Sequence, residues 1–195
     1  MNKVDLTWVA KLVVLACWFV FVLSFLLRNT PVTSDRKRDP SSILGVVLQG
    51  LSFLIVWVVR PPTFTSFAPF SNAIVGVLEV IAVISAIASI ALVIASVRTL
   101  GKEWSLTARV VTGHKLATEG PYHFVRHPIY TAMLGMLLAN GIAFSYWAAL
   151  LVAIAIYVVG TLIRIRSEER LLRETFGAEF EAYAERVPAL LPGLY

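Results

Sequence analysis

Apolar residues run in long blocks along this chain, separated by short polar stretches. The first block, Leu6 to Leu27, is interrupted by Lys11 and a few small polar residues. At about 1.5 Å per residue, a helix of this length crosses a hydrocarbon layer of roughly 30 Å. Leu26-Leu27-Arg28-Asn29 offers no small-x-small cleavage site, so the block predicts a retained span rather than a cleaved leader. Lys11 lies near one end and has the stem to reach the interface. Ile43 to Val59 predicts a second, short span, stopped by Arg60-Pro61-Pro62. Ala73 to Val97 predicts a third. Its pairs Ala82/Ala86, Ser85/Ser89 and Ala91/Ala95 sit one turn apart, a spacing that lets transmembrane helices approach closely. Glu79, about two turns inside this block, predicts an ion pair with Lys11 or Arg60 ahead of a functional carboxylate.

The fourth apolar region, Ile129 to Ile163, would make one helix of about 52 Å, too long for the bilayer. Asn140-Gly141 signals a turn near its middle. A helical hairpin is therefore expected, with arms near 129–143 and 146–163. Its short first arm predicts a tilted hairpin, or one packed mainly against protein.

Composition agrees with the pattern: 58% of residues are hydrophobic and 15% charged. Soluble domains carry about 45–50% and about 25%. This excludes a disordered chain, a disulfide scaffold and an ordinary soluble enzyme. The single cysteine, Cys17, reads as a small packing residue. The net charge of +5 says less than where the charges lie. Five spans put the termini on opposite sides and place fourteen of the seventeen Lys and Arg on one of them; Lys3, Lys11 and Arg60 are the other three. The positive-inside rule then puts the C-terminus in the cytosol and the N-terminus outside, in a bacterial inner membrane or the endoplasmic reticulum.

Two polar segments remain, Arg98 to Pro128 and Arg164 to Tyr195, and both fall on the cytosolic side. They bracket the hairpin, so antiparallel arms bring Arg126-His127-Pro128 and the 164–169 segment to one membrane face. Pro128 suits the first turn of a helix. Arg126 and His127 then occupy a helix mouth, where free N–H groups favour anions. Arg164 and Glu168 are four apart and share a helix face, as either an interfacial anchor or a functional pair. The histidines His114, His123 and His127 have no zinc-like spacing, so no metal is expected. No nucleophile elbow and no phosphate-binding loop occur. The basic residues are accounted for by topology, so no nucleic-acid partner is expected.

The stretch His114-Lys-Leu-Ala-Thr-Glu-Gly120-Pro-Tyr122-His-Phe-Val-Arg126-His127-Pro128-Ile-Tyr130 resembles the signature of isoprenylcysteine carboxyl methyltransferases. So does Arg164-x3-Glu168-Glu169-x2-Leu172-x3-Phe176-Gly177-x2-Phe180-x2-Tyr183. The wider group includes phospholipid N-methyltransferases and small-thiol methyltransferases. The resemblance covers roughly residues 98–195. It implies S-adenosylmethionine as cofactor and a lipophilic methyl acceptor (a prenylcysteine, a lipid or a small thiol) entering from the bilayer. It places His114, Lys115, Leu116 and Ala117 along the cofactor, with Tyr122, His127, Pro128, Ile129 and Tyr130 continuing the pocket. Glu168, with Glu169 beside it, would bind a polar group of the cofactor. Arg164 would face the acceptor, and Arg126 is counted with it as catalytic.

The expected whole is an all-α integral membrane protein of about five transmembrane helices, the last two a helical hairpin. Residues 1–97 would supply three N-terminal spans. Residues 98–195 would form the catalytic region, with a cytosolic cofactor-binding end and an amphipathic C-terminal helix. In that helix Leu172, Phe176, Phe180 and Tyr183 recur at helical spacing, with Gly177 as a break, which suits a lid or a surface anchor. A carboxylate acceptor needs a cation to hold it and no base, whereas an amine or thiol needs proton removal. Outside the transferases, a nicotinamide-dependent membrane reductase and a non-enzymatic scaffold are the alternative readings.

Overall fold

The computed structural model describes residues 3–26, 37–38, 41–61, 71–101, 109–110 and 116–191. Six helices dominate: α1 (Lys3–Leu26), α2 (Ser41–Val58), α3 (Asn72–Leu100), α4 (Pro128–Phe144), α5 (Trp147–Phe176) and α6 (Ala178–Ala184). A two-residue antiparallel ladder joins β1 (Lys37–Arg38) to β2 (Arg109–Val110). Three stretches, Thr7–Leu26, Ala73–Leu100 and Trp147–Phe176, are long and apolar enough to cross a membrane. Ser42–Val58 and Pro128–Phe144 are shorter apolar helices. The protein is thus an all-α membrane protein.

Helix α4 is the centre. No large apolar side chain on it is exposed, whereas α1, α2, α3 and α5 each present a row of exposed Leu, Val, Ile or Phe. The short hairpin arm is therefore wrapped by protein, and its neighbours carry the apolar outer face. Cys17 is buried with Val14, Phe21, Ala82, Ala86 and Met136, as a packing residue should be.

Lipid tails are as apolar as leucine, so burial of apolar area does little to hold such helices together; close backbone approach and buried hydrogen bonds do more. Both occur here. Ala82, Ala86 and Ser89 of α3 are buried, and Ser85 donates to the Gly135 carbonyl of α4 at 2.8 Å. Ala91 is exposed, so the Ala91/Ala95 pair is not part of that contact. On the opposite flank α2 meets α5 at Gly45 and Gly160. A Cβ on Gly160 would lie 2.8 Å from Leu48 Cβ and 2.9 Å from the Gly45 carbonyl. Gly160→Val is therefore expected to force the helices apart and cost roughly 1–3 kcal/mol, the usual penalty of overpacking. Thermal melting of the purified variant checks this, and an unchanged midpoint would refute the close contact.

The hairpin turn falls at Ser145-Tyr146, next to the expected arm ends at 143 and 146, and the Asn140-Gly141 signal does not make it. Asn140 lies inside α4 and donates to the Met136 carbonyl, and Leu150 packs against bare Gly141, where a Cβ would sit 2.3 Å from it. Ser145 ties the turn to the end of α2 by donating to the Val59 carbonyl at 2.8 Å. Glu79 makes no ion pair with Lys11 or Arg60 among the described residues. Each cation is met by a ring three residues before it in the chain: Lys11 by Trp8 at 5.8 Å, and Arg60, just past the end of α2, by Trp57 at 4.7 Å. That contact is available one turn away without crossing between helices.

Candidate active site

Helices α2 and α5 run antiparallel, as do α3 and α4, so Thr99, His127 and Arg164 gather toward one end of the bundle, where Arg164 reaches Gln49 in the middle of α2. Chain direction does this: a short turn after α4 returns α5 to the level of α4's own start. Pro128 opens α4 at its first position, and His127 precedes it as the cap residue. Helix α5 then runs past its apolar part to carry Arg164 and Glu168 on one face, with Glu169 on the neighbouring one.

The two segments meet through a buried charge network. Arg126 Nε lies 2.9 Å from Glu169 Oε1. His127 faces a carboxylate with each ring nitrogen, Nδ1 to Glu168 Oε2 at 3.4 Å and Nε2 to Glu169 Oε1 at 3.3 Å. Glu168 also pairs with Arg164 Nη2 at 3.3 Å and accepts from the Tyr130 hydroxyl. Glu169 Oε2 meets Arg173 at 3.2 Å. The Tyr130 ring stacks on His127, with centroids 5.6 Å apart, and lies under the Arg164 guanidinium at 4.9 Å. Arg164 Nη1 donates to Gln49 Oε1 of α2 at 3.1 Å.

The two glutamates differ in access. The Glu168 side chain is 23% exposed and the Glu169 side chain 7%. Glu168 is thus the carboxylate that can meet a cationic group arriving from outside. Glu169 serves the interior, where it holds Arg126, His127 and Arg173 together.

Arg126 also has an inward task. Its Nη1 donates to the carbonyls of Ala184, at 2.8 Å, and Val187. The backbone N–H groups of Arg126 and His127 bond the carbonyls of Pro188 and Ala189 at 2.8 and 2.9 Å. The chain's own tail, rather than an anion, takes the donors at this helix mouth. Gly177, with φ of +51°, ends α5 and turns the chain into α6. Phe180, Tyr183 and Val187 are then buried against Leu116, Leu172 and Phe176. The amphipathic tail turns its apolar face to the protein and covers the site.

Burial alone would lower the pKa of His127, but the hydrogen bonds and charges of Glu168 and Glu169 outweigh it and raise the value above the ordinary 6.5. Both nitrogens face acceptors, which only the imidazolium satisfies. A histidine with a raised folded-state pKa stabilises the fold fully at pH below its unfolded value, and loses that contribution as pH climbs through the folded one. Thermal stability is therefore expected to decline as pH rises above 6.5, and His127→Gln should flatten that slope. A slope unchanged in the variant would assign it to another group. Tyr183 donates to the Tyr122 carbonyl at 2.6 Å, and burial pushes its phenol up to about 12, so it remains protonated.

Of the residues expected from the sequence, Arg126, His127, Pro128, Tyr130, Arg164, Glu168 and Glu169 come together here. Tyr122 and Ile129 flank them; Tyr122 is buried and Ile129 half-buried. Leu116 and Ala117 are half-buried in the irregular segment leading in, Leu116 against the tail. His114 and Lys115 lie outside the described residues. His123 is exposed beside Phe124 and does not join His127. Sequence reasoning missed Gln49 and Thr161. A glutamine and a threonine within apolar helices were the only signal for them.

Fold and site together define a helical membrane protein whose buried charges gather at one end, under its own C-terminal tail. Residues 80–174 match the isoprenylcysteine carboxyl methyltransferase (ICMT) family. The chain is 36% identical over 103 residues to the cobalt-zinc-cadmium resistance protein of Cupriavidus metallidurans, covering 51% of this chain and 46% of that one. It is 38% identical over 88 residues to protein-S-isoprenylcysteine O-methyltransferase B of Arabidopsis thaliana, covering 40% of each. With methanethiol S-methyltransferase 1 of Bradyrhizobium diazoefficiens it shares 36% over 87 residues, 45% of this chain and 30% of that one. The matches thus span less than half the length of each of these curated relatives.

Proposed function

We propose that this protein is an integral membrane methyltransferase that uses S-adenosylmethionine and methylates a lipophilic acceptor at the cytosolic membrane face. The acceptor we favour is an isoprenylcysteine carboxylate. The observation that carries the reading is the division of labour around Glu168: a partly exposed carboxylate beside a buried guanidinium, at the end of an apolar bundle. The donor chemistry fits the cofactor, whose amino-acid end carries an ammonium that a carboxylate binds. When bound, S-adenosylmethionine supplies an already activated methyl group. The chain then has to bind, orient and exclude water. Glu168 holds the cofactor's cationic end. Leu116, Ala117, Tyr122 and the run His127 to Tyr130 form the wall beside it, joined by His114 and Lys115. Arg164 offers its fork to the acceptor carboxylate, which is ionised near neutral pH and needs no base. On this geometry Arg126 and Glu169 act on the site by holding the tail and His127 in place.

The topology in this reading has five spans, with α2 and α4 as the short ones. The N-terminus lies outside and the C-terminus in the cytosol, following the charge asymmetry. The methanethiol relatives support a second reading, S-methylation of a small thiol.

Incubation with methyl-labelled S-adenosylmethionine and either a farnesyl-cysteine analogue or methanethiol separates the readings. Base-labile label on the analogue indicates a methyl ester, and stable label on the thiol indicates a thioether. S-adenosylhomocysteine should raise the melting temperature of the wild type, and Glu168→Ala should weaken that effect by about tenfold in apparent affinity, as loss of one charge-assisted hydrogen bond does. Stabilisation by a reduced dinucleotide alone would overturn the transferase reading.

A further inference from the structure

We infer that Gln49, in the second helix, is a positioning residue that fixes the plane of the Arg164 guanidinium. The inference rests on the reading of Arg164 as the group that meets the acceptor. It places part of the acceptor site on a helix that lies outside the family region at residues 80–174.

A glutamine amide in the middle of an apolar helix is costly unless its hydrogen bonds are made. Gln49 is 2% exposed, and both ends of its amide are used. Nε2 donates to Thr161 Oγ1 at 2.9 Å, and Oε1 accepts from Arg164 Nη1 at 3.1 Å. The first bond sets the second. With Thr161 holding the NH2 side, the oxygen is turned toward the guanidinium; the flipped amide would set donor against donor. Thr161 is one turn before Arg164 on α5, so the amide bridges two successive turns of the same helix from across the interface.

Room for this contact is built into the backbone. Gly45 lies one turn before Gln49, and a Cβ there would come within 2.4 Å of Arg164 Cγ and 3.3 Å of its Cδ. The arginine stem therefore runs across bare backbone at Gly45 before its head reaches Gln49. At the other edge of the guanidinium, Nη2 meets Glu168, and the Tyr130 ring lies below. Contacts from α2, α4 and α5 thus hold one planar group. Glu168 is the partly exposed partner in this set, and the proposed function gives it to the cofactor. Gln49 is the buried partner, which keeps Arg164 aligned whether or not Glu168 is engaged. A planar fork recognises a carboxylate only in its own plane, so this alignment bears on acceptor binding and orientation.

The test uses the full chain in lipid, labelled S-adenosylmethionine and the farnesyl-cysteine analogue. Gln49→Met keeps the bulk and removes the oxygen; Thr161→Val keeps the shape and frees the amide to rotate. Gln49→Met should lower kcat/KM for the analogue about tenfold to a hundredfold, as loss of a hydrogen bond to a charged group does. Thr161→Val should lower it less. In both variants the KM for S-adenosylmethionine and the stabilisation by S-adenosylhomocysteine should stay at wild-type values. Wild-type acceptor kinetics in Gln49→Met would overturn the inference. So would a parallel loss of acceptor and cofactor binding together with melting temperature, which is what a mere packing role gives. If Gln49→Met does not fold, Thr161→Val decides by the same split between acceptor and cofactor. Arg164→Ala runs alongside as a control. If it leaves acceptor kinetics intact, the reading of Arg164 fails and takes this inference with it. If it impairs them while Gln49→Met does not, the inference alone fails.

Discussion

Arg164→Ala is expected to lower kcat/KM for the methyl acceptor by about a hundredfold or more, with S-adenosylhomocysteine binding largely retained. A displaced reactant loses rate on that scale even when the chemistry is untouched. Arg164 is buried at 6% exposure and is fixed between Gln49, Glu168 and the Tyr130 ring, so no other side chain can swing into its place. The substitution also leaves the Gln49 oxygen without this donor, which costs about 1–3 kcal/mol. Melting temperature has to be measured beside turnover, so that lost folding is not counted as lost chemistry. Arg164→Lys keeps the charge but not the fork, and should recover only part of the activity. Full activity in the alanine variant would remove Arg164 from the reaction.

The largest loss of stability is expected from Glu169→Ala, about 3–5 kcal/mol. Its carboxylate meets Arg126, His127 and Arg173 at 2.9, 3.3 and 3.2 Å, and its side chain is 7% exposed. Deletion leaves a buried guanidinium beside a histidine that needs an acceptor on each nitrogen. It also unseats Arg126, which holds the carbonyls of Ala184 and Val187. The tail should then become sensitive to limited proteolysis at concentrations that spare the wild type. Glu168→Ala, at the exposed member of the pair, should leave the tail protected. Equal protection in both variants would show that the two glutamates do not divide the work.

Much of this was legible in the sequence because it is periodic or local. Apolar blocks gave the helices, and Pro128 and Gly177 marked a start and a stop. The spacing of Arg164 and Glu168 gave their pairing. What escaped was set by tertiary contact. Gln49 and Arg164 are 115 positions apart, and no pattern within α2 marks one amide as the partner of an arginine on α5. The contacts of Arg126 with the Ala184 and Val187 carbonyls are likewise not visible from Arg-His-Pro. Asn140-Gly141 read as a turn because its local preference is strong. Packing of Leu150 against Gly141 overrode that preference and carried α4 on to Phe144. Glu79 was given a distant cation, but Trp8 and Trp57 had already met those charges locally.

Helix α5 is unbroken from Trp147 to Phe176, so one rod of about 45 Å carries both the lipid-facing Leu151, Val152 and Val159 and the network at Arg164 to Glu169. A rod has no joint at which to absorb a mismatch between its apolar length and the surrounding hydrocarbon. In a thinner bilayer the helix must tilt or stand higher, and Arg164 moves with it relative to the headgroups. Gly45 and Gly160 lock α2 to the same rod, so that helix shares the displacement. Acyl-chain length in the host membrane is therefore expected to set how deeply the Arg164 guanidinium sits relative to the headgroups.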